Sequence, residues 1–246
     1  MKNLKLAAVC LSCLTMTGCS ALNFSVEGLI NAPKLTSEQS EIHQALIESV
    51  GSNITLKYPK NGEYRSAYVI ANIDDEPTDE AMVFYEYTSN GSEEDGLRVN
   101  ILDKDEKGKW YSVKELAGAG TDIDQVIISP MGSNNQTDVF VGYQNLTNDE
   151  KTMEIYSYTD GDFKRVALDT YSVLEPLDIN NDGYIELITI QRSTNNDTGA
   201  VTAKASMLNM KNNEITRGEN VDMCDNVTSY VSSKTGMLDS GRRAIF

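Results

Sequence analysis

The chain has 246 residues, 40% of them hydrophobic and 24% charged, which suits a globular protein with a sizeable core and excludes a disordered one. A formal charge of −16 argues against nucleic acid or an anionic membrane surface as a ligand, and leaves cationic ligands and bound cations open. Three of the four cysteines (Cys10, Cys13, Cys19) lie in the first nineteen residues, so there is no disulfide framework, and Cys224 reads as a small apolar residue of the body.

Residues 1–18 read as a secretion signal. Lys2 and Lys5 precede a short apolar run over 6–14 that is too short to cross a membrane, and Met16-Thr17-Gly18-Cys19 follows. That tetrapeptide resembles a bacterial lipobox, which implies cleavage before Cys19, lipid on its sulfur and a bacterial, extracytoplasmic protein held on the cell membrane. Loss of the leader would remove two lysines and no acid, giving 19 − 37 = −18 for the mature chain. Residues 19–35 read as a tether.

Residues 36–51 carry the marks of one amphipathic helix. Thr36 and Gln39 form a capping box, Gly51 supplies the stop, and Ile42, Ala45, Leu46 and Val50 make a stripe at helical spacing. His43, the only histidine, reads as a surface residue of that helix.

From Ile54 the texture changes. Short runs of Val, Ile, Tyr and Thr alternate with turn dipeptides at Asn61-Gly62, Asn90-Gly91, Lys107-Gly108, Asp160-Gly161 and Asp182-Gly183, the pattern of successive hairpins. Internal repetition is the strongest signal. An acid opens an apolar run at Glu80, Asp138 and Glu186, and Arg243-Ala-Ile-Phe246 is a fourth candidate. Each run follows a turn-like stretch: 72–77, 132–135, 178–183 and 238–241. The runs are apolar at consecutive positions, so both faces call for burial. Residues 153–158 and 163–168 alternate, as half-exposed outer strands would. This predicts an all-β fold over 52–246, a partial β-propeller of four-stranded blades preceded by the one N-terminal helix. A β-sandwich is the second reading, and a repeat near fifty residues suits it poorly. The last run stops at Phe246, so the ring is expected to be incomplete at the C-terminus and better behaved in an extended chain.

Asp178, Asn180, Asp182 and Glu186 stand at positions one, three, five and nine of one stretch, with Gly183 at six. That spacing suits a hard cation needing six to eight oxygens. A metal-free Asx turn is the competing reading. The stretch and its following strand resemble the FG-GAP or VCBS repeat of integrin-type β-propellers, and residues 30–246 resemble uncharacterised lipoproteins of gut Firmicutes that carry such repeats. The resemblance implies Ca2+ held by the side chains of Asp178, Asn180, Asp182 and Glu186 and by the Tyr184 carbonyl. Thr189 at position twelve excludes an EF-hand. The earlier copy matches at Asn72, Asp74, Glu76 and Glu80, but Pro77 replaces the glycine, so it reads as a degenerate loop and not a metal site. The copy at 132–135 has no acid in its loop.

One helical histidine gives no His–Ser or His–Cys arrangement, and no nucleophile elbow, phosphate loop or zinc spacing appears. The expected function is a non-catalytic, lipid-anchored module that binds a protein, peptide or glycan outside the cell. The alternatives are an envelope-anchored hydrolase using carboxylates among residues 74–80, and a purely structural envelope protein.

Overall fold

The computed structural model describes residues 35–88, 96–131, 136–145, 150–179, 181–211, 214–219, 221–227, 235–237 and 243–245. The leader, Cys19 and nearly all of the tether lie outside the described residues. So do Asn90-Gly91, loop residues 132–135, Asn180, residues 238–241 and Phe246.

Helix α1 (Ser37–Val50) ends where the sequence predicts. Gly51 takes a φ of 85°, and its N–H donates to the Ile47 carbonyl at 3.0 Å. Ile42, Ala45 and Leu46 are buried beneath it. His43 departs from expectation: it is half-buried and hydrogen-bonded through Nδ1 to the Tyr68 hydroxyl at 2.8 Å.

Among the described residues, all other elements are strands. The first sheet runs β2 (Tyr68–Ala71), β3 (Glu80–Tyr87), β4 (Leu97–Lys104), β5 (Trp110–Ala117), with β1 (Ile54–Leu56) continuing the β2 lane against the far end of β3. The second runs β6 (Asp122–Ser129), β7 (Asp138–Gln144), β8 (Lys151–Thr159), β9 (Asp162–Tyr171). The third runs β10 (Val173–Leu177), β11 (Glu186–Thr194), β12 (Val201–Lys211), β13 (Glu214–Arg217), and β14 (Val221–Val227) extends the β13 lane along β12. Strands β15 (Thr235–Met237) and β16 (Arg243–Ile245) form a separate two-stranded sheet. Among the described residues every pairing is antiparallel.

The three aligned runs become β3, β7 and β11, the second strand of each four-lane meander. The fourth candidate does not follow them, because β16 pairs in a two-stranded hairpin. Among the described residues each sheet is open, and no pairing closes a barrel or a propeller ring. What stands, among the described residues, is an all-β architecture with one helix, three sequential antiparallel sheets of four or five strands and one two-stranded sheet.

Burial explains why the second strands are apolar throughout. Ala81, Val83 and Tyr85 share a core with Ile42 and Leu46 of α1, whereas Met82 and Phe84 share one with Val139, Val141 and Tyr143 of the second sheet. Phe140, Met153 and Tyr171 then pack with Leu174, Leu187 and Leu208 of the third sheet. Helix, sheet, sheet and sheet thus form successive layers, and β3 and β7 are covered on both faces.

Residues 153–158 were expected to be half-exposed. Instead Met153, Glu154, Ile155, Tyr156 and Ser157 of β8 are all buried. Glu154 is satisfied by Arg165 and by the Tyr156 hydroxyl at 2.7 Å, and Ser157 bonds to Asp138, so the polar residues mimic an exposed face while lying in the core. Strand β9 keeps the expected mixed exposure.

The Asp160-Gly161 turn between β8 and β9 has φ values of 55° and 75°, a two-residue turn of type I′. Asn61-Gly62 is not a hairpin. Its segment links β1 to β2, which both pair with β3, and it docks on the second sheet through Lys60 N–H to the Ile123 carbonyl and Asn61 N–H to the Asp124 carbonyl.

Candidate functional site

Each first strand returns to its second through a loop of the same span: 72–79, 130–137 and 178–185. The acid that opens each second strand is buried and closes this loop. Glu80 Oε2 accepts the Ile73 N–H at 2.8 Å, Asp138 Oδ2 accepts the Met131 N–H at 3.0 Å, and Glu186 Oε2 accepts the Ile179 N–H at 2.9 Å. The spacing is seven residues each time. A carboxylate accepting a backbone amide inside a folded loop is a charge-assisted bond that satisfies a donor no strand partner can reach. The repeat noticed in the sequence is therefore a clamp.

In the 178–186 loop Asp178 and Asp182 are also engaged with backbone. Asp178 accepts the Asp182 N–H on Oδ1 and the Gly183 N–H on Oδ2, both at 3.1 Å, and Asp182 Oδ1 accepts the Tyr184 N–H at 2.9 Å. Asn181 and Gly183 take φ values of 59° and 91°, which lets the chain fold around Asp178. Asn180 lies outside the described residues. Each carboxylate oxygen has two lone pairs, so an amide bond on one leaves the other for a cation. The set Asp178, Asp182 and Glu186 with the Tyr184 carbonyl thus suits a hard cation chemically, although among the described residues no three Asp, Glu, His or Cys side chains converge in a metal-ready arrangement.

The 72–80 loop is closed differently. The Asn72 amide donates to the carbonyls of Glu76 and Thr78, and Asp74 Oδ1 accepts the Glu76 N–H at 2.7 Å. Asn72 faces carbonyls as a donor, and so does not act as a ligand there. Burial raises the Asp74 carboxyl above the ordinary range, against the Glu76 amide and with help from Asp103 and Asp75.

Two further features escaped the sequence. Asp124, 1% exposed, accepts Asn61 Nδ2 at 2.7 Å and Lys151 Nζ at 2.9 Å on Oδ1, and the Tyr171 hydroxyl at 2.6 Å on Oδ2. The β6–β7 register skips at Asp124, a bulge that turns its side chain inward. Burial, then the Asp124 charge, pushes the Tyr171 hydroxyl far above its usual range, so it stays a donor. The second feature is an open groove of about 540 Å3 between α1 and the β4–β5 hairpin, lined by Ser40, Gln44, Ala45, Lys107, Lys109 and Trp110. An adjoining depression of about 480 Å3 runs past Glu48, Asp105 and Tyr111. Trp110 borders the groove but is only 3% exposed, with Lys104 Nζ 4.3 Å from its ring centre, and Lys109 pairs with Glu48 at 3.4 Å on the rim.

No protein-family model, curated protein or solved structure matches this chain.

Proposed function

We propose that this chain is a lipid-anchored, extracytoplasmic binding module without catalytic activity, whose ligand is a protein, peptide or glycan. The observation that carries its location is the leader ending in Thr17-Gly18-Cys19, with a tether behind it. Two or more acyl chains hold a protein stably on a bilayer, at about 0.8 kcal/mol per buried CH2. Mass spectrometry of the membrane fraction is expected to find an acylated peptide beginning at Cys19; a mature form cut elsewhere and free of lipid would sink this part.

The sheets are proposed to be blades of a propeller-like assembly, on the strength of their four-lane meanders and face-to-face packing. The 178–186 loop is proposed to hold one structural Ca2+ that stiffens the β10–β11 turn. For the ligand itself, the groove beside α1 offers polar side chains from Ser40, Gln44 and Lys109 and a rim of both charge signs, which suits a polar chain lying along α1. A glycan and peptide array is the direct test, with Lys109→Glu as the comparison. Binding that the substitution weakens at least tenfold supports the groove; a ligand unaffected by it docks elsewhere, and an empty array favours a structural role.

The hydrolase reading draws on Glu80, whose carboxyl is pushed up to about 7, chiefly by burial. Glu80 is only 3% exposed, however, and its Oε2 is committed to the Ile73 amide, which suits a clamp better than a catalyst.

A further inference from the structure

One buried carboxylate serves two side chains that can react with each other. Asp124 Oδ1 accepts hydrogen bonds from both Asn61 Nδ2 at 2.7 Å and Lys151 Nζ at 2.9 Å. The three residues come from separate places in the fold: the β1–β2 connection, β6 and the start of β8. An amine and a carboxamide that meet at one acid are the groups needed to exchange one amide for another.

Each group is held by contacts of its own. The Asn61 N–H donates to the Asp124 carbonyl at 2.7 Å and the Lys60 N–H to the Ile123 carbonyl at 3.1 Å, so the backbone alone sets this segment against β6. Gly62, at a φ of 81°, permits the approach, since a Cβ there would stand 3.3 Å from the Gln125 Cβ. Asp124 is 1% exposed, and the Tyr171 hydroxyl on Oδ2 leaves Oδ1 to the two reactants. Lys151 Nζ lies 5.6 Å from the Tyr171 ring centre, and its side chain is 21% exposed. Fixing reactants at this range removes the entropic cost of bringing them together.

We propose that Lys151 and Asn61 join through an amide bond between Nζ and Cγ, with Asp124 moving the protons. The Lys151 ammonium first passes a proton to Asp124, which frees the Nζ lone pair. A turn of the Asn61 amide places its oxygen on the protonated acid and its carbon toward Nζ. The N–C bond forms, the carbonyl electron pair moves to oxygen, and Asp124 donates its proton to Nδ2. As the C=O re-forms, the Cγ–Nδ2 bond breaks, and Nζ passes one proton through Asp124 to the departing ammonia. Ammonium leaves, Asp124 is a carboxylate again, and no oxidant or cofactor is consumed. The ion pair described above is the state before this bond closes. The link ties the β1–β2 connection to β8 of the second sheet and restricts the unfolded chain as a disulfide would, in a chain whose body has Cys224 as its one cysteine.

A tryptic digest of the full chain, read by mass spectrometry, tests the bond. The parent is expected to yield a branched peptide in which residues 61–65 are joined to an uncut Lys151, lighter than its parts by one ammonia. Lys151→Arg, which keeps the positive charge, and Asp124→Asn are each expected to lose it. Recovery of the parent's residues 61–65 as a free peptide, with cleavage after Lys151, overturns the proposal. So does an ammonia loss confined to residues 61–65, which would mean that Asn61 has closed on the Gly62 backbone nitrogen instead. A branched peptide that persists in Asp124→Asn overturns the role of the acid. Should that variant not fold, a time course with Asp124→Glu replaces it: the displaced acid is expected to slow bond formation by about tenfold or more, and an equal rate overturns the same role.

Discussion

Asp124→Ala is expected to destabilise the protein by about 3–5 kcal/mol, the range for removing one partner of a buried ion pair. The loss would leave Lys151, Asn61 and the buried Tyr171 hydroxyl without their shared acceptor. Because Asn61 belongs to the β1–β2 connection, the same change releases that segment from the second sheet. For a chain of this size the melting temperature should fall by roughly 6–20 °C. Asp122→Ala is the control. Asp122 lies two residues away and faces Lys60 at 2.8 Å and Lys57 at 3.8 Å, but these are accessible pairs. Exposed pairs of that kind contribute about 0–1 kcal/mol, so the control should melt within a few degrees of the parent. Equal losses in the two variants would mean that the Asp124 network adds nothing special to the fold.

Gly142→Ala should cost a comparable amount for a different reason. Gly142 lies in mid-strand on β7, and a Cβ there would drive into the Tyr171 hydroxyl oxygen, with the Tyr171 and Phe140 rings each only 3.2 Å away. Overpacking a core by one methyl typically costs about 1–3 kcal/mol. Here it also displaces Tyr171 from Asp124, and a bond to a charged group is worth about 1.5–3 kcal/mol. A combined loss of about 2.5–6 kcal/mol follows. Tyr171→Phe alone forfeits the bond but opens the space that Gly142→Ala needs. The double variant should therefore be more stable than the sum of the single losses predicts, by about 1 kcal/mol or more. Strict additivity, measured by denaturant unfolding, would show that the tyrosine is not what keeps glycine at this position.

What could be read in the sequence was whatever depends on near neighbours. Ile42, Ala45, Leu46 and Gly51 mark the helix because period and stop are both local. The second strands were legible because burial on both faces leaves an unbroken apolar run. The clamp acids could be aligned, yet their task could not be read, since the amide each one holds is defined only once the loop has closed. Glu154 and Ser157 misled for a related reason: a polar residue satisfied by a neighbouring strand looks in sequence like one facing water. Asp124 was silent because a bulge, not a motif, aims it inward. Of the site residues, Asp178, Asp182 and Glu186 are gathered around one loop, whereas Asn72 is drawn off to bind carbonyls.

The helix also gives the layered stack a direction. A sheet covered on both sides can be followed by another of its kind, because each new layer presents the same sort of apolar face to the next. On the α1 side that succession is blocked: Ile42 and Leu46 occupy the place a preceding sheet would need, and the outward side of the helix is polar. Duplication of the repeat can then lengthen the array only on the side away from α1.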